Sequence, residues 1–383
     1  MHRSLRLWPL LSRVDSAMKL PAYLQKQIAA QTQFLVVPGE FVLENGEVLQ
    51  DVEIAYRTWG NPENAAEHAV LICHALTGSA DVEAWWPNII GEGKTFDPAV
   101  DYIVCANILG SCYGPTGPVT CKPGTDSRYQ ADFPGVSVRD MVELQRILLD
   151  ELGVTHLELV TGPSLGGMQA LEWALMYPER VGSVVPIGVG GRHSAWCIGI
   201  SEAQRAAIAA DPNWNDGYYS DEEPPEKGLS AARMMAVCTY RSWQSFDERF
   251  GRDLRNDHQY QVQSYLQHQG EKINDRFDAN TYVTLTHAMH THDLARERGD
   301  YPDVLSRIEQ PALVVSVSSD ALYPPAEQRY LAEHIPNSEY KILDCVHGHD
   351  GFLIETETLG RMIVEFREAQ QAAPHLRVVS SGS

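Results

Sequence analysis

Leu157-Glu158-Leu159-Val160-Thr161-Gly162-Pro163-Ser164-Leu165-Gly166-Gly167-Met168-Gln169-Ala170-Leu171 is the stretch that decides the fold. An apolar run stops at Gly162 and an apolar helical pattern starts after Gly166-Gly167, with Ser164 at the corner between them. Small residues two before and two after the serine let the backbone turn sharply, which pushes the hydroxyl to the carboxyl edge of a sheet. This is G-x-S-x-G in the strand–turn–helix setting that a nucleophile elbow requires. The bare pentapeptide is common; its flanks carry the weight. The helix that follows directs a positive dipole to where an oxyanion would form.

Outward from that corner, short apolar runs alternate with helix-length amphipathic stretches. Strands are predicted at 52–58, 69–74, 102–108, 157–162, 183–188, 312–317 and 339–343. Helices are predicted at 137–152, 168–176, 326–334 and 359–370, the first opened by Ser137 as N-cap with an acidic first turn. The pattern is α/β, a mostly parallel, doubly wound sheet covered on both faces. Residues 191–300 break the alternation, being richer in Trp, Tyr, Arg, Gln and His. Their periodic parts, 230–240 and 257–269, read as helices, so this stretch is taken as a helical lid inserted into a core of 33–190 and 301–372. Residues 1–32 form an N-terminal extension in which Met18 is an alternative start, and 373–383 a flexible tail.

Composition narrows the partners. Acidic residues outnumber basic ones 51 to 30, for a net charge of −21, which disfavours nucleic acid and anionic membranes as partners. Apolar residues at 44% and charged residues at 21% are the proportions of a globular protein rather than a disordered one. No apolar run approaches the roughly 18 residues of a membrane span. The seven cysteines are widely spaced without a C-x-x-C pair, so free thiols in a reducing, cytoplasmic setting are expected. His287, His290 and His292 resemble a metal set, but they lack nearby cysteines and the H-E-x-x-H arrangement. They are assigned to polar contacts, and no metal is expected.

A serine nucleophile needs a base, and the base an orienting carboxylate, in the chain order Ser, acid, His for this kind of sheet. Asp320 ends the apolar strand 312–317. Its plainer alternative is the cap of the helix at 324–333, but its place just past a strand favours the acid role. Past the last strand come His347-Gly348-His349-Asp350, and spacing alone leaves either histidine open while favouring His349. The oxyanion donors are assigned to the backbone amides of Leu165 and of Leu76, in the loop His74-Ala75-Leu76-Thr77-Gly78 after an earlier strand. His74 itself is read as a satisfied core histidine. The Gly/Pro-rich loop at 107–118 lacks a phosphate-cradle motif and is expected to shape the mouth of the site.

With these segments quoted, the chain resembles the homoserine O-acetyltransferase family of α/β-hydrolase-fold acyltransferases over about 34–369. The resemblance is carried by His74 to Gly78, Trp85-Trp86, Asn107 to Pro118, Gly162 to Trp173, Ala232-Arg233-Met234, Tyr240-Arg241-Ser242, Ser319-Asp320 and Gly348 to Leu353. It implies Ser164, Asp320 and His349 as the triad, choosing His349 over His347. It implies Arg233 for the amino acid's carboxylate, Asp350 for its ammonium, and Tyr240 lining the same pocket. It further implies ping-pong transfer of acetyl from acetyl-CoA to L-homoserine, no permanently bound cofactor, and a homodimer. Where the family often has Met after the nucleophile this chain has Leu165, a volume-conserving change.

Donor and acceptor stay less constrained. Relatives that use succinyl-CoA tend to carry arginine two residues past the triad acid; Leu322 stands there in this chain, which favours acetyl. Serine as acceptor differs from homoserine by one methylene, worth only ~1–3 kcal/mol of discrimination. The alternatives are therefore a homoserine or serine O-succinyltransferase, or a serine esterase or thioesterase with the triad but no acceptor site.

Overall fold

The computed structural model describes residues 20–372; the expectations for Met18 as a start and for the tail at 373–383 lie outside them. Ten strands are present: β1 (Gln33–Val42), β2 (Val48–Trp59), β3 (Ala69–Ile72), β4 (Tyr102–Ala106), β5 (Leu159–Pro163), β6 (Val184–Ile187), β7 (Leu254–Asn256), β8 (Gln259–Tyr260), β9 (Ala312–Val317) and β10 (Ser338–Leu343). Eight form one sheet in the order β1-β2-β4-β3-β5-β6-β9-β10. Strand β2 runs against both neighbours, and every other pair in that sheet is parallel.

The central strands are apolar along their length because both faces are covered. In β3, Ala69 and Leu71 join one buried apolar cluster and Val70 and Ile72 the other; in β9, Ala312 and Val314 divide from Leu313, Val315 and Val317 in the same way. This is the two-residue period of a strand buried on both sides. The helix Val138–Glu151 starts where its cap predicts. Ser137 Oγ accepts from the Asp140 amide at 3.2 Å, and the Ser137 amide donates to Asp140 Oδ2 at 2.8 Å. Leu24, in the segment read as preceding the core, is fully buried in it.

Two sequence expectations need correction. The edge strand β1 was not predicted; its pairing with β2 is interrupted between Val37 and Glu40, where Gly39 takes φ 84° and donates to Asp51 Oδ1 at 2.8 Å. Residues between β6 and β9 carry the helices Ala195–Ala209, Glu226–Tyr240, Trp243–Phe250, Gln261–Asn274 and Ala279–His290, but also the hairpin β7–β8, so the helix expected from residue 257 begins at Gln261. The loop at 107–118, expected to shape the mouth of the site, is buried throughout. Asn107 holds it, accepting from the Ala80 amide at 2.7 Å and donating to Tyr113 O at 2.9 Å. All seven cysteines are unpaired, and among the described residues no helix is long and apolar enough to cross a membrane.

Candidate active site

Parallel strands bring their carboxyl ends to one edge, and the chemistry-bearing residues follow from that. Ser164 sits between β5 and the helix Leu165–Met176 with φ 55° and ψ −123°. Such a backbone costs about 1–3 kcal/mol and persists only where the surroundings hold it. Here its amide donates to Ile187 O at 2.9 Å, and its carbonyl accepts from Gly167 and Met168 at 2.8 and 3.1 Å. The flanking glycines are a matter of space. A Cβ at Gly166 would lie 2.0 Å from Cys73 O, and one at Gly162 would lie 2.4 Å from the same atom. The elbow can therefore press against the end of β3, where the expected oxyanion loop begins.

His349 and Asp320 meet as expected: Nδ1 and Oδ2 are 2.6 Å apart. The other carboxylate oxygen, Oδ1, accepts from the Leu322 and Tyr323 amides at 2.8 and 2.9 Å, so the acid is fixed in orientation and completely buried. Those two amides precede the helix Pro325–His334, whose N-cap is Pro324 without a side-chain cap bond, so Asp320 does not cap that helix. The Ser319 hydroxyl ties the two loops, donating to Cys345 O at 2.7 Å and accepting from the Gly348 amide at 2.9 Å. Gly188, one residue past the carbonyl that holds Ser164, faces the pair: a Cβ there would lie 3.6 Å from Asp320 Oδ2 and from His349 Nδ1. Ser164, through Ile187, and the His349–Asp320 pair, through Gly188, are therefore both placed at the end of β6. His347 lies elsewhere, 3.5 Å from Glu355.

Tyr240, Tyr323 and Phe352 surround the His349 ring at centroid distances of 5.8, 5.3 and 5.1 Å. Burial there works against a charged imidazole. The Asp320 carboxylate, by charge and hydrogen bond, and then Asp350, outweigh it and hold His349 above its ordinary value of 6.5.

The loop expected to supply an oxyanion donor is a turn closed by the Gly78 amide on Ala75 O at 2.9 Å. His74 braces it from inside, Nδ1 on Ala75 O at 2.8 Å and Nε2 accepting from the Ile108 amide at 3.3 Å. Burial pushes this imidazole down to about 4, so it is the neutral, structural histidine expected. Within a peptide plane the carbonyl and the next N–H point opposite ways, so with Ala75 O turned inward the Leu76 amide is turned outward. The Leu165 amide lies in the first turn of its helix, where intrahelical acceptors are missing.

The expected amino-acid contacts gather on the same side. Arg233 lies over the Tyr240 ring at 5.5 Å and makes no ion pair among the described residues. Asp350 adjoins His349, and burial raises its carboxyl above the ordinary range even though Arg241, Arg233 and His349 oppose that. Leu322 is buried beside the triad acid. The sequence reading missed Arg241, paired with Asp350; Tyr323, whose ring lies tilted against His349 and whose hydroxyl bonds His193 Nδ1 at 3.1 Å; and Arg276. Arg241 could have been found from its place in the Tyr240-Arg241-Ser242 motif. The histidines at 287–292 split: His292 bonds Gly190 O at 3.1 Å, while the His290 ring lies tilted against those of His193 and His287.

The alpha/beta hydrolase fold family profile matches residues 68–355. A homoserine O-acetyltransferase of Nostoc punctiforme is 55% identical over 346 residues, covering 89% of this chain and 97% of that protein. This chain belongs to the homoserine O-acetyltransferase family. Membership agrees with the resemblance read from the motifs and with the sheet order above. Among solved structures, the homoserine O-acetyltransferase of Staphylococcus aureus is 28% identical with a TM-score of 0.72, covering 90% of this chain and 96% of that one. Esterase E22 is similar too, at 25% identity and a TM-score of 0.81, covering 88% and 99%. The fold is therefore shared by transferases and esterases, and the acceptor side of the site must separate them.

Proposed function

We propose that this protein transfers an acetyl group from acetyl-CoA to the side-chain hydroxyl of L-homoserine through an acyl-enzyme on Ser164. The observation that carries the reading is the set of opposite charges beside His349: Arg233, which makes no ion pair among the described residues, and the Asp350 carboxyl, which feels both Arg241 and Arg233. A free α-amino acid presents one carboxylate and one ammonium, which match these two groups. Hydrolysis of a neutral ester requires neither.

In the first half-reaction Ser164 Oγ attacks the thioester carbon as His349 Nε2 takes its proton. The oxyanion rests on the Leu76 and Leu165 amides, and collapse expels the CoA sulfur, which receives the proton from His349. In the second half the homoserine hydroxyl gives its proton to His349 and attacks the acetyl carbon. Ser164 then leaves and recovers that proton. Asp320 keeps the Nδ1–H directed away from the reacting atoms and stabilises the imidazolium at both stages. Water competes with the acceptor, and we assign its exclusion to the helices inserted between β6 and β9, acting as a lid. No resident cofactor is required. We also infer a cytoplasmic homodimer, a reading that rests on family kinship and that light scattering tests.

The test crosses acetyl-CoA and succinyl-CoA with homoserine and serine, identifying products by mass. O-acetylhomoserine should dominate. The likeness to esterase E22 makes hydrolysis the competing reading: acetyl-CoA cleaved equally fast with and without homoserine would establish it instead.

A further inference from the structure

Arg276 follows the helix Gln261–Asn274, in the stretch inserted between β6 and β9, yet its guanidinium reaches the loop after β3. Nη1 donates to Thr77 O at 2.9 Å and to the Tyr113 hydroxyl at 3.1 Å, and Nη2 donates to Thr77 Oγ1 at 3.3 Å. Among the described residues it makes no ion pair. A half-buried guanidinium normally meets a carboxylate, because its planar fork matches one. This one is spent on three neutral oxygens, two of them on a single residue.

That residue is the neighbour of Leu76. The turn Ala75–Gly78 has two fixed points inside the core, the Gly78 amide and His74 Nδ1, both on Ala75 O. They set the peptide plane carrying the Leu76 N–H but leave the far side of the turn, at Thr77, without a tether from the sheet. Arg276 supplies that tether through both the backbone and the side chain of Thr77. Its positive charge also stands one residue from an amide aimed at developing negative charge, which strengthens a preorganised donor in a buried site.

We propose that Arg276 is a positioning residue for the oxyanion turn, so that acyl transfer in the core depends on a bracket delivered by the inserted helices. The inference rests on the Leu76 amide being an oxyanion donor. It predicts that transition-state stabilisation, rather than substrate binding, is lost when the bracket is weakened.

The experiment uses p-nitrophenyl acetate as an acyl donor that needs neither a CoA site nor an amino-acid site. Burst amplitude counts competent Ser164 and burst rate reads acylation. For Arg276→Lys, which keeps charge and bulk but loses the fork, the burst rate should fall roughly 10- to 100-fold at undiminished amplitude. KM for homoserine and acetyl-CoA should stay within about threefold. In Arg276→Ala, added guanidinium at non-denaturing concentration should restore part of the rate. Loss of fold would lower amplitude and melting temperature but not the rate per competent site, and that pattern overturns the proposal. So does an unchanged burst rate in Arg276→Lys, or a defect confined to KM for homoserine or acetyl-CoA. A burst that survives Ser164→Ala would instead refute the reading of the site itself.

Discussion

Arg241 Nε lies 3.1 Å from Asp350 Oδ2, so the carboxylate assigned to the substrate ammonium already has a cation beside it. Both side chains are about four-fifths buried, and Asp350 is held above the ordinary carboxylate range by that burial, with Arg241 and Arg233 pulling the other way. Arg241 therefore opposes the effect of burial and favours the ionised form of Asp350, the form that the proposed ammonium contact needs. The arrangement trades strength of attraction for a charge that survives desolvation.

Arg241→Gln removes that support, and its effect should change sign with pH. Without Arg241 the Asp350 carboxyl rises further, so on the acid side it is protonated and the ammonium loses its partner. On the alkaline side the carboxylate is ionised and no longer shared. The KM for homoserine should increase about tenfold per unit of added shift at low pH and fall below wild type at high pH. Initial rates across pH would give two crossing curves. Parallel curves would mean that Asp350 does not hold the ammonium.

Asp320→Asn tests the base. His349 must be neutral to accept a proton, so kcat/KM should rise with pH through a limb lying above 6.5, because Asp320 and Asp350 raise this imidazole against the effect of burial. With Asp320 neutralised, burial dominates and the limb should move to lower pH. The plateau should drop by roughly 10³- to 10⁴-fold, since the ring loses its orienting acceptor. A plateau loss without the acidward shift of the limb would contradict the assigned cause.

Gly166→Ala should be the most damaging single-methyl change at the elbow. The new Cβ would sit 2.0 Å from Cys73 O, a backbone atom that cannot step aside. Relief requires moving the end of β3 or the helix start, for which about 3 kcal/mol or more is expected. Urea unfolding should show it, with activity lost in proportion to misplacement of Ser164. Gly199→Ala is the control: nothing lies within 4 Å of a Cβ built there.

The parts of this fold written into local sequence are the ones a reader can find there. Ser164 stands out because its backbone conformation demands small neighbours, and β3 to β6, β9 and β10 stand out because apolar runs must be buried on one or both faces. Strand β1 does not: half-buried in its first part and interrupted at Pro38-Gly39, it carries no clean alternation. Asp350 and Arg241 are 109 positions apart, and Arg276 and Thr77 are 199 apart, so neither pairing leaves a periodic trace. Family resemblance supplied Arg233 and Asp350, whose residue types alone would have passed for a lid salt bridge and a helix-capping acid. Nothing local marked Arg276.

Leu322 tests what sets the acyl donor. Its amide donates to Asp320 Oδ1 at 2.8 Å, and its carbonyl accepts from the Cys197 thiol at 3.2 Å, so the backbone belongs to the triad's support. The side chain is free of that duty and joins the buried apolar cluster. An acetyl group needs no more than such a wall. A succinyl group would bring its carboxylate into the site and needs a cation there, since burying an unpaired charge is prohibitive. Leu322→Arg should therefore lower kcat/KM with acetyl-CoA while raising the succinyl-to-acetyl ratio roughly 10- to 100-fold, the value of a charge-assisted hydrogen bond. Leu322→Met, which conserves volume and polarity, should leave the ratio unchanged. Competition between the two thioesters with mass-resolved products measures the ratio directly. An equal ratio in the Arg and Met variants would place donor choice elsewhere in the pocket.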